Sequence, residues 1–162
     1  MKVKEIMTEN PRACAPTSSL AEVAGLMWES DCGIVPVVAE GGAVVGLITD
    51  RDICMAAALT GRNLDNIAVA EVTSGNVIAC NADDDLHPAL QQMRDNKVRR
   101  LAVLAEDRTL AGILSLNDIV LNAQDTNDSA AALSYADVIA TCKAICAHPG
   151  TVEVMQQLAA GA

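Results

Sequence analysis

The chain repeats itself. Laid on itself with a shift of 66 residues, Val3–Cys54 falls on Val69–Val120 without a gap and is identical at 13 of 52 positions. Composition alone would give about four in so Ala-rich a sequence. The identities include Glu5/Glu71, Cys14/Cys80, Leu20/Leu86, Met27/Met93, Val37/Val103, Gly46/Gly112, Asp52/Asp118 and Ile53/Ile119, with Thr49/Ser115, Leu47/Ile113 and Ile48/Leu114 conservative. A duplicated unit dictates that whatever one half forms, the other forms too. At 162 residues the chain suits one compact domain or two small halves sharing a core.

Each unit reads alike. A short strand around Ala13-Cys14 precedes Thr17-Ser18-Ser19, which offers caps for a helix from about Leu20 to Glu29. Leu20, Val23, Ala24, Met27 and Trp28 recur along it at helical spacing and define an apolar face. The β-branched run Ile34–Ala39, the turn Glu40-Gly41-Gly42 and the run Val44–Thr49 make a hairpin, and a second helix opens at Thr49-Asp50-Arg51-Asp52 and continues through Ala58. The second unit has a strand near Val77-Ile78-Ala79, a helix Leu86–Asn96 behind Asp83-Asp84-Asp85, strands Arg100–Leu104 and Leu110–Leu114, and a helix from about Leu116. Beyond Asn122 the repeat is over: Gln124–Ser129 reads as a loop, Ala130–Ala147 as a helix, and Val152–Ala160, after Pro149-Gly150, as a last short helix.

Composition narrows the function. A hydrophobic share of 51% excludes disorder for most of the chain, and one Trp, one Tyr and no Phe leave an aliphatic core. The same scarcity removes stacking platforms for bases, and a net charge of −10 repels phosphate backbones, so no nucleic-acid partner is expected. No run of eighteen apolar residues spans a membrane and the first residues lack a signal-peptide core, so a cytoplasmic location is expected, with no membrane partner. The six scattered cysteines form no CxxC pair and read mostly as small buried hydrophobes.

The β-α-β-β-α unit in tandem, closed by Gly46-Leu47-Ile48-Thr49-Asp50-Arg51-Asp52-Ile53 and by Gly112-Ile113-Leu114-Ser115-Leu116-Asn117-Asp118-Ile119, resembles the CBS domain pair, or Bateman module. Cys32–Val37 and Lys97–Val103 match the middle strand of that family, and Val3–Thr8 its entry segment; the likeness covers roughly residues 2–122. It implies a mixed α/β (α+β) fold of two repeats about a pseudo-two-fold, with repeats at 1–60 and 69–123, a linker at 61–68 and a helical extension at 124–162. It also implies a regulatory module rather than an enzyme. Its ligand would be an adenosyl compound (AMP, ADP, ATP or S-adenosylmethionine) held in clefts between the repeats, with no other cofactor required. Pairs of this kind commonly form homodimers, and an unidentified protein partner is also expected.

The Thr/Ser-x-x-Asp signature of the family lands on Thr49/Asp52 and Ser115/Asp118. A carboxylate there can accept from both hydroxyls of a ribose, and the adjoining helix start offers free backbone N–H groups. The same residues also suit plain helix caps and dipole partners. Arg51 is placed to meet a phosphate; Asn117 stands in its position in the second unit, so the two clefts are unequal. Arg94, Lys97, Arg99 and Arg100 either receive a polyphosphate or, for Arg94 and Lys97, offset Asp83–Asp85; at least one of Arg99 and Arg100 should point into the cleft. The resemblance puts the adenine wall near Ala13-Cys14-Ala15 and Ile34-Val35-Pro36, and near Ala79-Cys80-Asn81 and Arg100-Leu101-Ala102.

Cys142, Cys146 and His148 form a C-x3-C-x-H pattern that a metal or redox sensor could use, but buried cysteines packing on the module are the plainer reading. No Walker loop, HExxH or nucleophile elbow occurs. The competing reading is a ligand-free dimerisation or protein-interaction module.

Overall fold

The computed structural model describes residues 1–126 and 132–147. A 3-10 turn (Val3–Glu5) and strand β1 (Thr8–Glu9) lead into α1 (Leu20–Glu29), β2 (Ile34–Val38), β3 (Val44–Thr49) and α2 (Asp50–Thr60). A short helix α3 (Val69–Val72) opens the second half, followed by β4 (Ala79–Asn81), α4 (Leu86–Asn96), β5 (Arg100–Leu104), β6 (Leu110–Ser115) and α5 (Leu116–Asn122). A last helix, α6 (Tyr135–Cys146), lies outside the repeat.

Local chemistry explains the boundaries. Ser19 starts α1 through a reciprocal box: the Glu22 N–H donates to Ser19 Oγ at 3.2 Å, and the Ser19 N–H donates to the Glu22 carboxylate at 2.8 Å. The chain leaves α1 and α4 through left-handed residues at equivalent positions, Asp31 (φ 47°) and Lys97 (φ 52°). Both hairpins carry the same irregularity, at Val37/Val38 and at Val103/Leu104. The expected strand at Ala13-Cys14 shrinks to a single parallel bridge, Cys14 to Val37. In the second half the Ala82 N–H donates to Leu104 O and extends the pairing, whereas the equivalent residue is Pro16, which has no N–H to give.

The halves trade their leading segments. Val3 is fully buried in the core of the second half, with Leu86, Leu90, Met93, Leu101, Leu114 and Ile119; Val69 is fully buried in the core of the first, with Leu20, Val23, Val35, Val37 and Ile48. Strand β1 therefore joins the second half, giving a four-stranded sheet ordered β1-β6-β5-β4 beside the two-stranded β2-β3. The bridges Lys2 to Asp85 and Ser19 to Ala68 are one contact seen twice, and Ala43 to Thr109 joins equivalent residues. Reciprocity of this kind is what a two-fold produces. The crossing segments also explain Gly46 and Gly112: a Cβ there would lie 2.2 Å from Thr73 Cγ2 and 2.7 Å from the Thr8 carbonyl oxygen, respectively.

The buried helix faces contain Leu20, Val23 and Met27, and Leu86, Leu90 and Met93, as the periodicity requires. Trp28 does not join them; it is 89% exposed. The expected helix at Ala130–Ala147 begins, among the described residues, at Tyr135, because Ser134 caps it: Ser134 Oγ accepts from the Asp137 N–H while Asp137 Oδ2 accepts from the Ser134 N–H and hydroxyl. Leu133, Val138 and Ile145 complete the core of the second half. The expected helix Val152–Ala160 lies outside the described residues. No helix of the described residues is long and apolar enough to cross a membrane.

Candidate functional site

Two clefts lie between the repeats, each at the foot of a hairpin. The larger, about 530 Å³, is lined from the first repeat by Gly33, Ile34, Leu47, Thr49, Asp50 and Arg51, and from the second by Asn76, Ile78, Lys97, Val98, Arg99 and Arg100. Ile145 and Cys146 at the end of α6 close one side. The smaller, about 310 Å³, is its pseudo-symmetric counterpart: Asn10, Arg12, Cys32, Ile113 and Ser115 replace Asn76, Ile78, Val98, Leu47 and Thr49, while Ile34 and Arg100 border both. Both volumes fall within the roughly 300–1,000 Å³ typical of small-molecule sites. A third recess of about 320 Å³ holds Arg99, Arg100, Ser115, Asn117, Cys142 and Cys146.

The signature residues cap their helices. Thr49 Oγ1 donates to Asp52 Oδ2 at 2.6 Å and accepts from the Asp52 N–H at 3.2 Å, while the Thr49 N–H donates to the same carboxylate oxygen at 2.9 Å. Ser115 and Asp118 repeat this at 2.6, 3.3 and 2.7 Å. Each carboxylate thus works through Oδ2 alone, and Oδ1 of each has no hydrogen-bond partner among the described residues. Asp52 and Asp118 are half-buried, each one helical turn beyond the cleft-lining Thr49 or Ser115 to which it is hydrogen-bonded.

Strand alternation sorts the rest. Ile34 and Arg100 open their strands on the cleft, whereas Val35 and Leu101 point into the two cores. Pro36 is buried, and its carbonyl accepts from the Cys14 N–H at 2.9 Å. Cys14 and Cys80 sit in matched core positions away from both clefts, so anything they offer a cleft ligand comes through backbone. Burial raises both thiols, that of Cys80 to about 12, which leaves them unreactive.

The basic cluster splits in two. Arg94 and Lys97 do not offset Asp83–Asp85, although Lys97 also lines the larger cleft. Arg94 donates to Thr141 Oγ1 at 2.9 Å and to Asp137 O at 3.2 Å, and Lys97 Nζ donates to Ala147 O at 2.6 Å, so both clamp α6. Asp83 and Asp85 pair instead with Lys4 and Lys2, which the traded N-terminal segment brings to them. The guanidiniums of Arg51, Arg99 and Arg100 are left without a hydrogen bond or ion pair among the described residues, all three around the larger cleft.

Sequence reasoning missed Asn10 and Asn76, identical at the repeat offset and each on a cleft wall; that identity was the available signal. Cys146 is exposed rather than buried, Cys142 half-buried, and His148 lies outside the described residues. Among the described residues no group of three or more His, Cys, Asp or Glu gathers to hold a metal.

Comparison with known proteins agrees with this fold. The family model described as "CBS domain" matches residues 3–59 and 69–124. The CBS domain-containing protein YhcV of Bacillus subtilis is 35% identical over 128 residues, 79% of this chain and 89% of that protein. Protein MJ0100, whose CBS domain pair was solved with 5′-methylthioadenosine and S-adenosyl-L-methionine, shares 26% identity at a TM-score of 0.68, covering 75% of this chain and 98% of that one. Protein PAE2072 from Pyrobaculum aerophilum, solved with AMP, shares the fold at a TM-score of 0.70 and 21% identity, over 88% of this chain and 99% of that one.

Proposed function

Because this chain belongs to the CBS-domain family, its two repeats filling residues 3–59 and 69–124, we propose that it is a regulatory module, not a catalyst, that takes an adenosyl compound into the larger cleft between them. One observation carries this reading: Arg51 of the first repeat faces Arg99 and Arg100 of the second across that cleft, and none of the three has a partner among the described residues. Guanidiniums left free in a cleft of nucleotide size call for an anion, and phosphate suits their fork. Asp52 would offer its unengaged Oδ1 to the ribose, with Ile34, Leu47 and Ile78 against the base. The cleft with Ser115 is smaller, and Asn117, not an arginine, follows its Ser115 at the position of Arg51, so it would bind more weakly.

Thermal shift against AMP, ADP, ATP and S-adenosylmethionine, followed by calorimetry, tests this. Asp52→Ala removes a charge-assisted bond of roughly 1.5–3 kcal/mol and should lower affinity about tenfold or more. Asp118→Ala should do less to the tighter site, and Arg51→Ala should weaken ATP more than adenosine. Failure of every adenosyl compound to bind at about 1 mM overturns the reading and favours the ligand-free interaction module. That second reading has its own support in the apolar side chains left exposed on α2 and α5, Leu59 at 78% and Leu121 at 82%. We also propose a cytoplasmic homodimer that covers these side chains; light scattering checks it, a monomer overturning it.

A further inference from the structure

Arg94 and Lys97 hold α6 at different places. Arg94 reaches Thr141 and the Asp137 carbonyl in the body of the helix, and it lines neither cleft. Lys97 holds only the end. Its Nζ donates to the Ala147 carbonyl at 2.6 Å, just past the last turn, and of the two cations it alone lines the larger cleft. Carbonyls at a helix C-terminus carry partial negative charge, so an ammonium is a favourable partner for them. One of its three N–H groups is spent there, and the other two have no partner among the described residues.

The end of α6 is also a partition. Ile145 and Cys146 border both the larger cleft and the recess of about 320 Å³ beside the start of α5, and Arg99 and Arg100 border the same two spaces. An anion drawn into the cleft by those guanidiniums therefore lies against the last turn of α6. Ile145 and Cys146 are uncharged, so the partition does not repel it. The equivalent corner of the first half is built differently. Asp31 and Gly33 stand where the second half has Lys97 and Arg99, an acid and a bare backbone, and α6 belongs to the core of the second half.

We propose, resting on the nucleotide reading above, that the end of α6 is a third wall of the larger cleft. Lys97 bridges the Ala147 carbonyl and an anionic group of the bound ligand, and Cys146 touches that ligand. Ligand and helix end then stabilise one another, since a coupling of this kind is reciprocal. The site thus includes a segment that the repeats themselves do not supply.

Cys146 is exposed, and so is Cys54, which lies on α2 outside the lining of the larger cleft, so one protein carries both the reporter and its control. The test pulses the full chain with iodoacetamide, with and without ATP, and follows alkylation of the two cysteines by peptide mass mapping. Calorimetry on the same samples establishes occupancy. Saturating ATP should slow Cys146 severalfold and leave Cys54 unchanged. Lys97→Met keeps the stem and loses the ammonium: Cys146 should react faster without ATP, ATP should protect it less, and affinity should fall severalfold. Should Lys97→Met fail to fold, judged by circular dichroism, the wild-type rates decide alone. ATP that binds without slowing Cys146, or that slows Cys54 equally, overturns the inference and leaves the nucleotide reading standing. Full protection in Lys97→Met overturns it as well. If calorimetry detects no binding of ATP at about 1 mM, this inference falls, and the nucleotide reading falls with it only if AMP, ADP and S-adenosylmethionine fail too.

Discussion

Met93 is fully buried beneath α6, whereas its equivalent Met27 borders an open groove beside an exposed Trp28. The same contrast recurs at the sheets: β6 carries β1 along its edge, while β3 pairs only with β2. The two repeats agree in helix exits, hairpin irregularities and caps, down to the Thr49-Asp52 and Ser115-Asp118 boxes. Their differences come from α6, which lies outside the repeat and packs on the second half, and from the traded leading segment, which pairs as β1 on β6 but forms no strand on β3. A duplicated template thus sets the frame of each half, and accessory segments decide how completely each is sealed.

Four substitution experiments would break or sharpen that contrast. Met93→Ala opens a cavity under α6 and should cost about 2–5 kcal/mol, and Met27→Ala should sit at or below the lower end because its site already borders solvent. Equal shifts in denaturant midpoint would show that α6 does not seal the second half. Gly112→Ala drives a Cβ against the Thr8 backbone and Gly46→Ala drives one against the Thr73 γ-methyl; each should cost about 1–3 kcal/mol. Thr73→Ser removes that methyl, keeps the hydroxyl that donates to Val69 O, and should rescue Gly46→Ala. No side-chain change should rescue Gly112→Ala, and calorimetric melting of the variants and the Gly46→Ala/Thr73→Ser pair checks both statements.

Thr49→Ala and Ser115→Ala remove equivalent caps and should each cost about 1 kcal/mol in urea unfolding; clearly unequal losses would show that the two boxes bear different loads. The smallest effect concerns pH. Burial pushes the Asp137 carboxyl up, but the Ser134 hydroxyl and amide, with His87 and Arg94, outweigh it and hold the carboxyl below its usual 3.8. The unfolded chain therefore takes up this proton first. The contribution is complete above the unfolded value and is lost as pH falls through the lower folded one. Below about pH 4 the seat of α6 should weaken, and the fall of melting temperature with acid should be shallower in Asp137→Asn. An unchanged slope would remove Asp137 from the clamp.

What the sequence revealed follows from where its information is local. The helices Leu20–Glu29 and Leu86–Asn96 and both hairpins could be read because period, caps and repeat register all act within a few residues. Trp28 was misplaced because a heptad-like stripe does not say whether a neighbour exists to bury it. The roles of Arg94 and Lys97 depend on partners 43–50 residues away, and nothing in the local pattern points to them. Which half keeps Val3 and which keeps Val69 was hidden for a related reason: the two entry segments look alike, and only tertiary pairing assigns them. In the candidate site the cap pairs were visible as Thr-x-x-Asp and Ser-x-x-Asp, whereas the Asn10 and Asn76 walls arise from loops that carry no periodic signal.

The traded leading turns give the chain a particular history each time it is made. As it leaves the ribosome, the first sixty residues emerge without the valine that closes their own core, since Val69 has yet to appear. The N-terminal turn must wait longer still, because the sheet and helix that receive Val3 and Thr8 are synthesised about a hundred residues later. Neither half can therefore finish alone. Each half draws a core valine from the leading segment of the other, so a chain severed in the linker leaves two unfinished pieces.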